Sequence, residues 1–345
     1  MELHRERIKA MKDMNKENLW NKMKKSKYFE LVGLICLIIV FSGIVQARSG
    51  NFLTVHNLGN ILKEIVVYGI LACALAFPLI NGTFDLSISS TSALGGTVCA
   101  LMVTDGLYGV KTNLAGAVVG AVVFCAVIGA MNGIVVAKTK IDPFIVTLGT
   151  QTAVRGLVYI VSKNTAVTNL PNEFKALSKS EVLGISISVW ILVIVFLLMA
   201  VILGKTSYGR KIYAIGGNYQ AAYLSGINVS AVRFSTYVIS GGLSAIAGIL
   251  STARVGSATP NAGTGYETIA ISACAIGGVA LSGGKGLTIG VFLGALLMGM
   301  ITNGMNLMYI GSNWQYVVRG VLMILAVFYS QWFSRISARE TKEKK

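Results

Sequence analysis

Three charged side chains and one amide lie where charge is costly. Asp85, Arg155 and Glu267 fall within or at the edge of long apolar runs, and Asn81 opens the stretch Asn81-Gly82-Thr83-Phe84-Asp85. An ionisable group inside a bilayer is tolerated where it faces a cavity or finds a partner. Pro78, just ahead of this stretch, removes a backbone donor and bends or ends its helix. A broken helix bearing a carboxylate should then face a cavity. Arg155 follows the helix start Asp142-Pro143 by about three turns. A buried guanidinium there needs a carboxylate, carbonyls or water, with Asp85 and Glu267 as candidate carboxylates. A structural ion pair and a pore-lining charge weigh equally, so Asp85, Arg155, Glu267 and Asn81 are the candidates for lining or gating a route. Lys63 and Glu64, near a helix end, are expected to snorkel.

Other chemistries are poorly supplied. The two histidines, His4 and His56, lie outside the predicted core, which argues against a histidine proton relay. Cys36, Cys73, Cys99, Cys125 and Cys274 lie in apolar runs without a CxxC spacing, as small core residues rather than disulfide or metal partners. Gly204-Lys205-Thr206 has the end of a phosphate-binding loop, but Met199 stands where the first glycine belongs and no strand precedes it. In Gly283-Gly284-Lys285-Gly286, Gly286 replaces the required Ser/Thr. The chain is therefore expected to have no ATPase of its own, to bind no cofactor and not to be an enzyme.

A polar stretch, Ser207 to Asn228, interrupts the apolar runs and has little of its own to fold against. Gln220-Ala221-Ala222 and Gly226 fall at helical spacing. A short helix with small residues on one face fits a groove on another protein; the bland alternative is a solvated connector.

The elements that position these residues are membrane helices. Hydrophobic residues make up 54% and charged residues 13%, with 39 glycines, where soluble domains average about 45–50% and 25%. The continuous runs predict an all-α integral membrane protein of about ten transmembrane helices. These cover residues 29–45, 61–80, 84–104, 112–137, 143–162, 185–203, 232–253, 266–282, 286–303 and 315–333. The net charge of +16 sits at the borders of these runs and does not mark a nucleic-acid site. With the N-terminus inside, twenty-one Lys/Arg fall on the cytoplasmic side and six outside, which places both termini and the Ser207–Asn228 loop in the cytoplasm. The plan is a basic cytoplasmic arm over 1–28, a membrane domain over 29–333 with its cytoplasmic loop at about 204–231, and a basic tail over 334–345.

A repeat relates the halves. At a constant offset of 182, Phe84-Asp85 matches Tyr266-Glu267, Ser90 matches Ser272, and Ala93-Leu94-Gly95-Gly96 matches Ala275-Ile276-Gly277-Gly278. The copies fall in the third and eighth helices, an odd step of five, so the second runs opposite to the first, which is an inverted-topology arrangement. The pairs Gly116/Gly120 and Gly290/Gly294 have the GxxxG spacing that lets backbones approach. Arg254 to Tyr266, too polar to span, is either re-entrant or an outer loop for a soluble partner.

From about Asn51 to Gln331 the chain resembles the ribose-type permeases of bacterial ATP-binding cassette importers. The likeness rests on NGTFDLSISS for that family's GGIDLSVGS, FIVTLGTQTAVRGL for its FIxTLGxxxxxRGL, GRKIYAIGGNYQAAYLSGINV, and SATPNAGTGYE with GGVALSGGKG and NGMNLM. Thr83-Phe84 stands where Gly-Ile is usual, and Gln220 takes the place of a coupling-loop glutamate. The resemblance implies a monosaccharide permease in the cytoplasmic membrane, paired with itself or a related chain. It further implies ATP and Mg on nucleotide-binding partner subunits, and an external sugar-binding protein. Gln220, Ala221, Ala222, Gly226, Ile227 and Asn228 would be the contacts to the ATPase. The alternatives are a secondary transporter running on an ion gradient and an ABC permease for nucleosides or another solute.

Overall fold

A backbone without water around it must satisfy its own N–H and C=O groups, which is why the apolar runs become helices. The computed structural model describes residues 29–104 and 109–342. The expected basic arm over 1–28 and the last three residues of the tail lie outside the described residues.

In chain order the elements are α1 Phe29–Ser49, α2 Val55–Ile80, α3 Ile88–Val103, α4 Leu114–Lys138, α5 Pro143–Val161 and α6 Asn172–Lys179. A small antiparallel hairpin follows, β1 Glu181–Val182 with β2 Ile185–Ser186. Next come α7 Ile187–Lys205, α8 Ser207–Gly217, α9 Tyr219–Leu224, α10 Val229–Val255, α11 Tyr266–Ile276, α12 Thr288–Leu307 and α13 Ser312–Lys342. Each of the ten expected apolar stretches contains a helix, but among the described residues seven are long and apolar enough to cross a membrane. The three shorter apolar helices are Ile88–Val103, Tyr266–Ile276 and the segment Ser312–Phe328 of α13. At 1.5 Å per residue α3 and α11 extend about 24 and 16 Å, short of a hydrocarbon core of about 30 Å. The helix at α13 continues unbroken past Ser334, where the tail was expected to begin.

The ends obey local chemistry. Asp142 caps α5 by accepting from the Phe144 N–H at 2.8 Å, with Pro143 in the first turn as its spacing predicts. Thr206, the last residue of one phosphate-loop lookalike, caps α8 by accepting from the Gly209 N–H at 3.1 Å. That lookalike is thus a helix–helix junction.

The core is built around α10. A Cβ on Gly95 of α3 would lie 2.7 Å from Ala245 Cα, and Gly248 abuts the Ser92 carbonyl. Across α10, Gly129 and Gly133 of α4 press on the backbone of Tyr237 and Phe234. Going up α3, residues 92 and 96 meet residues 248 and 252 of α10, so the two helices run parallel. Gly290 and Gly294 bring α12 onto the backbone of α11, as their spacing predicts. Gly116 and Gly120 instead meet the side chains of Thr112 and Met102, so that GxxxG pair brings no backbones together.

Asn57 and Asn303 join α2 to α12 inside this core through reciprocal amide bonds of 2.9 and 3.0 Å. Truncating one side orphans the other, which costs about 1–3 kcal/mol for a buried polar group. Asn303→Ala is therefore expected to lower the thermal midpoint of the detergent-solubilised protein. The double variant Asn57→Ala/Asn303→Ala should fall by less than the sum of the single changes; additive losses would show the amides to be independent.

Candidate functional site

The first break sits halfway along the core. Helix α2 ends within one turn of Pro78; Thr83 donates to the Pro78 carbonyl from its N–H at 2.9 Å and its hydroxyl at 3.1 Å. Gly82 turns the chain at φ +82°, a left-handed value that glycine adopts without strain. Asp85 then faces Ser240, eleven residues beyond the Val229 start of α10 and hence about 16 Å along it.

Asp85 is 1% exposed. Its Oδ1 accepts from the Ser87 N–H at 3.0 Å and hydroxyl at 2.6 Å, and its Oδ2 from the Ser240 hydroxyl at 2.6 Å. Behind Ser87 the chain of bonds continues: Asn132 Nδ2 donates to Ser87 Oγ at 3.0 Å, and Thr150 Oγ1 donates to Asn132 Oδ1 at 2.6 Å. The bonds converge on the carboxyl group, whose two oxygens are both occupied. The network ties α4, α5 and α10 to the first turn of α3. Asp85 thus has serine hydroxyls, not Arg155, as its partners.

The second break begins where α10 ends. A bridge pairs Val167 with Ala258, and the chain then folds back until Gly263 lies against Ser89 and Ser92 of α3. Arg155 holds this segment, donating from Nη1 to the Pro260 and Ala262 carbonyls at 2.8 Å each. Of the partners open to a buried guanidinium, carbonyls are the ones it takes; neither Asp85 nor Glu267 forms an ion pair with it among the described residues. The polar stretch from Arg254 to Tyr266 is therefore a returning segment clamped by α5. Lys63 and Glu64 do not simply snorkel. Glu64 pairs with Arg254, joining α2 to α10, and Lys63 lies 4.0 Å from Glu181 of the hairpin.

A cavity of about 780 Å³ lies between the first break and the helix that follows the second. Phe84 and Leu86 line it from the first break, Glu267, Thr268 and Ile271 from α11, and Ala280, Leu281 and Ser282 from the loop after α11. Phe144, Leu148 and Gln151 of α5 and Met323 and Val327 of α13 complete the wall. Glu267 Oε2 is buried without a hydrogen-bond partner among the described residues. A mainly apolar wall with one free carboxylate oxygen, an amide and two hydroxyls suits the brief passage of a neutral solute that carries hydroxyl donors. Of the four sequence candidates, Glu267 lines the cavity, while Asp85 holds the first break and Arg155 the second. Asn81 is fully buried, and neither polar atom of its amide finds a partner among the described residues. A second cavity of about 760 Å³, with Lys111, Lys163 and Asn169 in its wall, touches neither break.

The polar stretch folds as α8 and α9. Asn218 caps α9, accepting from the Ala221 N–H at 2.9 Å, and Asn228 caps α10, accepting from the Ala231 N–H at 3.0 Å. Gly226, at φ +78° with no atom within 4 Å of a notional Cβ, serves the turn between them. Ala222, expected on a partner-facing surface, is 4% exposed and packs into this chain's own core. Gln220 and Ala221 are exposed and Ile227 is half-buried. The outward face carries Tyr219, Tyr223 and Leu224, exposed by 47, 63 and 76%. Sequence reasoning missed these three; apolar residues flanking the polar positions of a short capped helix were the available signal. It also missed Ser87, Asn132, Thr150 and Ser240, whose convergence on Asp85 exists only after folding.

Residues 57–327 match the family model described as branched-chain amino acid transport system / permease component. The chain is similar to the ribose import permease protein RbsC of Escherichia coli strain K12, 39% identical over 307 residues that cover 88% of this chain and 94% of that one. It is 36% identical over 298 residues to the RbsC of Bacillus subtilis strain 168, covering 86% and 90% of the two chains. The L-arabinose transport system permease protein AraH of Escherichia coli strain K12 is 38% identical over 314 residues, covering 91% and 92%. No solved structure matches.

Proposed function

The chain belongs to the family of branched-chain amino acid transport system / permease components, and from that premise we propose that it is the membrane subunit of an ATP-binding cassette importer for a monosaccharide. The relatives named for ribose and L-arabinose point to a pentose. It sits in the cytoplasmic membrane, pairs with a second permease chain, identical or related, and takes sugar from an external binding protein. ATP and Mg are handled by partner subunits docked on α8 and α9. The observation that carries the reading is the cavity between the first break and α11, into which Glu267 brings a carboxylate oxygen free to accept from sugar hydroxyls, with Asp85, Arg155 and Asn81 in the frame around it.

The halves form two inverted repeats. Helices α3 and α11, related by the offset of 182, are both short and both follow a glycine-bearing break. Since α3 runs parallel to α10, and α11 returns from α10, the related pair runs in opposite directions, the arrangement that supports alternating access.

Reconstitution in proteoliposomes with the ATPase and binding protein tests the function. ATP should drive uptake of labelled ribose or arabinose when ion gradients are collapsed. Uptake that follows a gradient instead would make this a secondary transporter, and uptake of nucleosides but not pentoses would overturn the solute. Ser207 and Asn172 are both exposed, so cysteines there also read the orientation. Ser207→Cys should react with an impermeant reagent from the cytoplasmic face, and Asn172→Cys from outside; reversed labelling would overturn it.

A further inference from the structure

Two pairs of adjacent glycines meet each other where α8 touches the broken helices. A Cβ on Gly284 would lie 2.6 Å from both Cα and N of Gly217, and one on Gly283 would lie 2.6 Å from Gly82 Cα and 3.1 Å from Gly216 Cα. A Cβ on Gly216 would overlap the Ile80 carbonyl and come within 2.5 Å of Gly284 N. The Gly284 N–H donates to that same Ile80 carbonyl at 2.8 Å, so the contact is bonded as well as close. One turn back on α8, the Tyr213 hydroxyl donates to the Gly286 carbonyl at 2.8 Å. Burial pushes its pKa up, which keeps the donor proton in place.

Three segments therefore touch backbone to backbone: the end of α8, the end of α2 with its break, and the loop between α11 and α12. No side chain lies between them to rotate away, so a displacement of α8 has nowhere to be absorbed. Both receiving segments lead straight into the cavity wall. Phe84 and Leu86 follow Gly82 by two and four residues, and Ala280, Leu281 and Ser282 run up to Gly283.

We propose that Gly216 is the positioning residue through which movement of α8 and α9, driven by the ATPase, reaches both broken helices at once and changes the shape of the cavity. The proposal rests on the importer reading, and gives Gly216 and the facing pair Gly283-Gly284 a task in coupling.

The test is the number of ribose molecules carried per ATP hydrolysed, measured on complete importers in proteoliposomes and normalised to assembled complexes. Gly216→Ala wedges the junction apart, and its ratio should fall about tenfold while hydrolysis continues. Tyr213→Phe deletes one hydroxyl and leaves the packing, so it reports even where Gly216→Ala fails to assemble; its ratio should fall about threefold. Gly217→Ala is the control, because no atom lies within 4 Å of its notional Cβ, and it should keep the wild-type ratio. A wild-type ratio in Tyr213→Phe and in any assembled Gly216→Ala would overturn the proposal, as would an equal fall in Gly217→Ala. A purely structural role predicts fewer complexes at an unchanged ratio. Failure of the wild-type importer to carry sugar on ATP would show in that arm alone, and would remove the importer reading together with the proposal.

Discussion

Asp85→Ala is expected to eliminate most of the folded protein. The substitution leaves the Ser87 N–H, the Ser87 hydroxyl and the Ser240 hydroxyl without their acceptor in a site that is 1% exposed. Hydrogen bonds to a charged group contribute about 1.5–3 kcal/mol each in soluble proteins, and measured bonds in membrane helices average nearer 0.6 kcal/mol. Three such bonds give a loss between about 2 and 9 kcal/mol, at its upper end a large fraction of a typical total of about 5–15 kcal/mol. Asp85→Asn should destabilise less than Asp85→Ala, because its amide oxygen can still accept from Ser87 while its NH2 faces the Ser240 hydroxyl, which must turn to accept. Ser240→Ala, which removes one bond, should be the mildest of the three. The monodisperse fraction in detergent and the thermal midpoint read this order; a wild-type midpoint in Asp85→Ala would show that the network contributes nothing.

The same geometry separates Asp85 from Arg155. Loss of the guanidinium frees the Pro260 and Ala262 carbonyls and with them the returning segment, so removing Asp85 as well cannot restore an Arg155→Ala variant. The sequence shows that both residues need partners, since an intramembrane charge always does. Which partner each takes depends on the register between helices, and Ser240 lies 155 residues from Asp85. No local pattern carries that information. Neighbouring residues do set the cap at Asp142 and the glycine turn after α2, and both are readable before folding.

Helix length was harder to read than helix position. The stretch over residues 266–282 is mainly apolar, yet α11 stops at Ile276 because Gly277 and Gly278 end it and Gly278 takes φ +78°. Hydropathy scores those glycines as compatible with a span, whereas their backbone freedom makes them a turn. The repeat at offset 182 does not depend on those lengths, since it compares residue identities. The polar segment from Ser207 to Asn228 divided in the same way: its caps and its turn are local and legible, while the burial of Ala222 depends on how α9 rests on the rest of the fold.

Leu224→Asp is expected to detach the ATPase and stop uptake while leaving the membrane fold intact. Helix α9 has six residues, too few to be stable alone, and is held by the Asn218 cap and the turn at Gly226. Its outward face presents Leu224, Tyr223 and Tyr219, and the Arg233 guanidinium packs over the Tyr219 ring at 4.9 Å from its centroid. A partner that buries Leu224 gains about 1.5–3 kcal/mol from that side chain. Aspartate forfeits this gain and adds the cost of desolvating a charge, together enough for a loss of affinity of about a hundredfold or more. Within the isolated chain the side chain is 76% exposed, so the change in folding stability should stay within about 0.5 kcal/mol. Recovery of the nucleotide-binding subunit on an affinity-tagged permease, sugar uptake, and the thermal midpoint of the permease alone together decide the matter. The first two should collapse and the third should hold. Wild-type recovery with wild-type uptake would mean that the ATPase docks elsewhere, and a collapsed midpoint would mean that α9 belongs to the fold rather than to the interface.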